Sequence, residues 1–216
     1  MTPPRPAWTG RLVTAVTLLA VTAIALIAGI MLRPVIIDDD HGAAALLSTV
    51  EVGFLQDMSA HHQQALSMAQ LIDRPGVDDG VRSLARQIRV AQANEIGTMT
   101  GWLLLADQPL VNPAPMSWMT RYGTTGGMHD HGAAHTTMPG MATADDLSAL
   151  ASLPPAAAAT RFLQLMQRHH YGGIAMAQDL VAQVPDGLTR QLARSMIGTQ
   201  SKETGLMGTM LTQRGP

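Results

Sequence analysis

Four of this chain's eight histidines come as two adjacent pairs, His61–His62 and His169–His170. Met58 stands three residues before the first pair and Met68 seven after His61; Met166 and Met176 repeat that spacing around the second pair. Imidazole with thioether is a soft to borderline donor set, suited to Cu(I) and, with more nitrogen, to Cu(II). Zinc prefers His, Cys or carboxylate and rarely uses Met. A di-iron site would need Glu-x-x-His on two helices, and no such motif occurs. Glu95 and Glu203 add one carboxylate to each set. A third set lies in "GGMHDHGAAHTTMPGM", residues 126–141: Met128, His129, His131, His135, Met138 and Met141. Short His-rich tracts read as metal binding, with an ordinary surface segment as the plain alternative. Met99, Met196, Met207 and Met210 read as packing, because Met fills irregular cores well.

The elements that must position these groups follow from a repeat. Phe54, Met58, His61, His62, Met68, Leu84, Gln92, Glu95 and Met99 recur as Phe162, Met166, His169, His170, Met176, Leu192, Gln200, Glu203 and Met207, always 108 residues on. A constant offset means one supersecondary unit used twice. Within the unit, Phe54, Met58, His61, Ala65, Met68 and Ile72 step by four and three, the inward stripe of an amphipathic helix. "DRPGVDDG" and "VPDG" break the two copies of that helix. A second stripe then runs through Leu84, Ile88, Gln92, Glu95, Met99 and Leu103. Each repeat is a helical hairpin, and two hairpins make an all-α, four-helix bundle, with helices expected near 46–72, 82–105, 155–183 and 188–212. Repeat one is residues 45–105, a Met/His-rich linker 106–153, and repeat two 154–212. The linker is too long for an ordinary bundle loop.

The stripes put His61 beside Glu95 and His169 beside Glu203 across each hairpin. Buried imidazole and carboxylate are costly unless paired or metal-bound. Two readings meet that cost. Either the carboxylates accept hydrogen bonds from His61 or His169 and from Gln92 or Gln200, giving a polar layer that fixes register, or the layer holds a metal ion. His62 and His170 sit about 100° round from their neighbours, so they join a site at the helix boundary or are solvated.

The segment Leu12–Leu32 carries no charge and, at ~1.5 Å per residue, spans a ~30 Å hydrocarbon core. Arg5 and Arg11 precede it, which favours a cytoplasmic residue 1–11 stretch, a transmembrane anchor at 12–32, a linker at 33–44 and an extracytoplasmic remainder. A cleaved signal segment, leaving a secreted domain, is the alternative. Cysteine is absent, which excludes disulfides, thiolate metal sites and cysteine nucleophiles. A net charge of −2 gives no nucleic-acid footprint. No phosphate loop, nucleophile elbow or His-Glu-x-x-His helix occurs. The expectation is therefore a metal-binding protein rather than an enzyme. The alternatives are an envelope interaction module with no metal, pairing with itself or with a partner, and a copper-dependent oxidoreductase.

"FLQDMSAHHQQALSMAQ" with "LARQIRVAQANEIGTMTGWL", repeated as "FLQLMQRHHYGGIAMAQ" with "LARSMIGTQSKETGLMGTML", resembles the DUF305 family over about residues 45–212. "MPGMATADDLSAL" is similar to that family's middle segment. The resemblance implies a ferritin-like bundle and, through the CopM-like extracytoplasmic copper-binding proteins the family includes, copper handling by Met58, His61, His62, Met68, Met166, His169, His170 and Met176. Gln64 stands where the second repeat has Gly172, and "HHYGG" is closer than "HHQQA" to the family's usual "HHxGA".

Overall fold

The structure, a computed structural model, describes residue 27 and residues 46–119 and 138–214. The chain divides into two units, residues 1–46 and 47–216. The expected anchor at 12–32 and the linker residues Met128, His129, His131 and His135 lie outside the described residues. Among the described residues no helix is long and apolar enough to cross a membrane.

The second unit is all-helical among its described residues. A capping box starts α1 (Thr49–Ile72): Ser48 accepts the Glu51 N–H, and the Glu51 carboxylate accepts the Ser48 N–H. Such a box satisfies two of the donors that a helix start leaves orphaned. The Asp78 carboxylate caps α2 (Asp79–Leu105). A short helix, α3 (Ala144–Ser152), opens on a second capping box, Thr143 with Asp146. Pro155 occupies the first turn of α4 (Pro155–Gln183), where a missing N–H costs nothing. Gly187, at φ 96°, releases the chain into α5 (Leu188–Thr212). The four long helices fall close to the expected spans. α3 does not: its residues were expected to be linker and the approach to the third helix.

α1 packs on α2, α4 packs on α5, and α1 and α4 pack on each other. The shared cores show that α1 and α4 run antiparallel. Met68 and Ile72 near the end of α1 lie with Phe162 and Met166 near the start of α4. Phe54 and Met58 near the start of α1 lie with Met176 and Leu180 near the end of α4. These are two separate apolar clusters, one toward each end, and the histidine pairs sit between them.

One buried carboxylate organises the first part of the linker. Asp57 accepts hydrogen bonds from Asn112 Nδ2 at 3.0 Å, the Met116 N–H at 2.7 Å and Trp118 Nε1 at 2.8 Å. Burial raises its pKa, and those three donors oppose the rise. They carry Trp118 onto Phe54, edge to face at 5.5 Å. A Cβ on Gly53 would lie 2.6 Å from Trp118 Cδ1, so glycine is needed there. The end of the linker is tied down by Asp146, which pairs with Arg161 and Arg168.

Candidate metal centre

The four paired histidines form one row across the waist of the unit. His61, on α1, and His169, on α4, stack with ring centroids 3.7 Å apart and planes tilted 31°. His62 and His170 flank them, with centroids 6.3 Å and 6.4 Å from their sequence neighbours. All four are at most 1% exposed. α1 and α4 each pack against a hairpin partner on one face and against each other on a second, with the short α3 touching both. His61 faces the other hairpin, and His62 faces its own partner α2.

The expected pairing is therefore corrected by one residue. His62, not His61, donates from Nε2 to Glu95 at 2.7 Å, and His170, not His169, donates to Glu203 at 2.7 Å. His62 and His170 are not solvated either. The two carboxylates stand at the edge of the layer, 19% and 16% exposed, with the imidazoles wholly inside. Gln92 and Gln200 do not bond the carboxylates: their amide groups are buried without a hydrogen-bond partner. Gln200 lies over Gly173, where a Cβ would meet its Oε1 at 2.6 Å.

The central pair is held differently. His61 Nε2 donates to the Pro139 carbonyl at 3.0 Å, and His169 Nε2 donates to the His61 carbonyl at 3.1 Å. Desolvation by burial, reinforced by His62 and opposed by the Pro139 carbonyl, pushes His61 down to about 3. Burial and the neighbouring histidines hold His169 well below the usual imidazole range. Both rings are therefore neutral near pH 7. With Nε2 committed to an oxygen in all four rings, Nδ1 is the remaining nitrogen. It is buried and without a partner in all four.

Residues 138–142 cross α4 at this point, and spacing alone did not reveal it. A Cβ on Gly172 would lie 1.9 Å from the Pro139 carbonyl oxygen. Gly140 has φ 77°, and a Cβ there would lie 2.4 Å from the Arg168 carbonyl oxygen. Gln64, the repeat counterpart of Gly172, clamps the backbone of Ala142 from the other side: Nε2 to its carbonyl at 2.9 Å and Oε1 from its N–H at 2.7 Å. The mismatch at this repeat position was the one sequence signal of the crossing.

Met58 and Met176 are fully buried in one apolar cluster, and Met68 and Met166 in the other, on either side of the histidine row. Met99, Met196 and Met207 are fully buried core residues, and Met210 packs partly buried against the core. Met138 and Met141 are half-buried at the crossing. Among the described residues, no three His, Cys, Asp or Glu side chains stand close enough to hold a metal ion. The stack explains part of this. Ring planes tilted by only 31° do not converge on one point at the ~2 Å imidazole–metal distance.

Fold and site together define a class: a duplicated helical hairpin with a buried row of histidines backed by carboxylates at its waist. The chain belongs to the DUF305 family, a domain of unknown function, whose sequence model matches residues 51–211. A DUF305 crystal structure from Streptomyces coelicolor is 38% identical, with a TM-score of 0.67 over 77% of this chain and 92% of that one. A DUF305 fragment from Deinococcus radiodurans is 31% identical, with a TM-score of 0.63 over 77% and 97%. CopM in its Cu(I)-bound form is 22% identical, with a TM-score of 0.56 over 77% and 98%, a likeness of fold. No curated protein matches the chain.

Proposed function

We propose that this chain is an extracytoplasmic copper-binding protein, held at the membrane through residues 12–32, with the paired histidines as its principal ligands. One observation carries the reading: four buried imidazoles each have Nε2 tied to an oxygen and Nδ1 left without a partner. An unsatisfied buried polar group costs roughly 1–3 kcal/mol, and ligation satisfies it. The donor types suit the ion, and the stacked rings would have to turn for their nitrogens to converge on it. The His62–Glu95 and His170–Glu203 pairs match the pattern in which a carboxylate behind an imidazole fixes its tautomer and raises its basicity toward a metal. Neutral imidazole is the ligating form. The Met58, Met68, Met166 and Met176 thioethers adjoin the row and make the donor set soft. Met128, His129, His131, His135, Met138 and Met141 form a second, weaker capture set. The fold likeness to CopM, whose structures include Cu(I)-, Cu(II)- and Ag-bound forms, supports the same reading.

A specific observation favours a second reading. The His61–His169 stack and its two bonds to backbone carbonyls would serve as a register-fixing polar layer in an envelope module that binds no metal. Competition titration of the full chain with Cu(I) and Cu(II) separates the two. On the copper reading, changing Met128, His129, His131, His135, Met138 and Met141 to Ser leaves the tightest site. His61 and His62 to Ala, or His169 and His170 to Ala, removes it. Glu95→Gln weakens binding about 10–100-fold. Loss of the tightest copper in the linker variant alone would make the paired histidines structural.

A further inference from the structure

We propose that the end of the unit carrying the start of α1 docks on a lipid bilayer. Five of the eight exposed large hydrophobic residues among the unit's described residues gather there: Leu104 at 63%, Leu105 at 76%, Leu110 at 45%, Val111 at 76% and Leu188 at 63% exposure. Their placement follows from the core. Leu103 and Val184 share one cluster with Phe54 and Leu55 of the first α1 turns, and Gln56 holds the Pro109 carbonyl at 2.6 Å. The opposite end is charged instead, with Asp73 paired to Arg82 and Arg86, and Asp78 to Arg214.

The occupant is named by what the chain does next. The stretch without charge at Leu12–Leu32 joins α1 at the apolar end, through residues 33–46. Fourteen residues span at most ~50 Å, so an inserted Leu12–Leu32 would tether the chain to the bilayer by this end and hold it within that reach of the surface. Between Leu103 and Asn112 the only charge is Asp107. Contact would therefore come from burial of apolar side chains rather than attraction to anionic lipid, and neutral phosphatidylcholine should suffice. The surface stands on exposed residues alone, but its delivery rests on the anchor in the reading above, so the test separates the two.

The chain has no cysteine, so single variants accept a fluorophore cleanly. Leu105→Cys, Val111→Cys, Asp79→Cys and Ala20→Cys are labelled in the full chain, reconstituted in phosphatidylcholine vesicles carrying a lipid-bound quencher that is shallow for positions 105, 111 and 79 and at mid-chain depth for position 20. Labels at 105 and 111 should be quenched at least about twofold, as for a side chain at the headgroup boundary, and the label at 79 should not. About 1 M salt, where the Debye length is ~3 Å, should leave this unchanged. If 105 and 111 resemble 79, docking is wrong, whether or not position 20 is quenched. Quenching at 105 and 111 but not at 20 would keep the docking and remove the anchor. A blue shift that grows with protein concentration, without quenching, would assign the surface to a second copy of the chain and overturn the proposal.

Discussion

His61 and His169 place two neutral imidazoles where water cannot reach, and the unfolded chain feels that burial as a proton difference. An unfolded histidine titrates near 6.5, whereas folded His61 titrates near 3. Between those values the unfolded state holds a proton that the folded state lacks, so stability falls as pH falls through this window. The slope reaches about 1.4 kcal/mol per pH unit for each such imidazole, and His169 adds in the same direction. Asp57, with its raised pKa, acts with opposite sign just above the ordinary carboxylate range. Asp146, held at about 2, adds loss only below that range. Urea midpoints should therefore drop between pH 7 and pH 5, before the carboxylates matter. A flat midpoint there would show that the stacked pair is not buried neutral.

At the scale of elements, the long helices were legible because their stripes are long and recur. The structure gives Thr49–Ile72 and Asp79–Leu105 near the expected 46–72 and 82–105, and the second hairpin at the expected spans. α3 was missed because nine residues carry too little periodicity, although Thr143 and Asp146 did spell its capping box. The histidines were legible as a set but not as partners. A single-stripe reading assigns one buried face to each helix, whereas α1 lies between α2 and α4 and buries two. The crossing at 138–142 joins residues far apart in sequence, so no local pattern could place it. Its chemistry gives a sharp test. Gly172→Ala must displace backbone, and overpacking of this kind costs about 1–3 kcal/mol. Gln64→Ala removes two hydrogen bonds at about 1 kcal/mol each. The same changes at the partner positions, Gln64→Gly against Gly172→Gln, should not be interchangeable. Thermal unfolding of each variant measures this, and a neutral Gly172→Ala would mean that the segment does not cross α4 as described.

At the scale of the molecule, the two halves are similar in sequence but differ in surroundings. Phe54 and Phe162 are repeat partners, both fully buried, in different clusters. Truncation of a buried Phe to Ala costs about 3–5 kcal/mol. Only Phe54 meets Trp118 edge to face, a geometry worth about 0.5–1.5 kcal/mol beyond area. Phe54→Ala should therefore cost more than Phe162→Ala in equilibrium unfolding. Equal costs would show that the first linker segment contributes nothing to the core it touches.

The crossing at 138–142 also bears on how one hairpin finds the other. Two similar hairpins on one chain invite exchange, because the first hairpin of one molecule could mate with the second of another at little loss of contact. Gln64 on α1 and Gly172 on α4 grip the same short piece of backbone. The strap is held by the α4 that follows it, so a first hairpin borrowed from another molecule would find the same grip for its Gln64. The strap thus acts as a latch rather than a kinship mark, closing on whichever first hairpin arrives and leaving the choice to the tether that keeps a chain's own halves near each other.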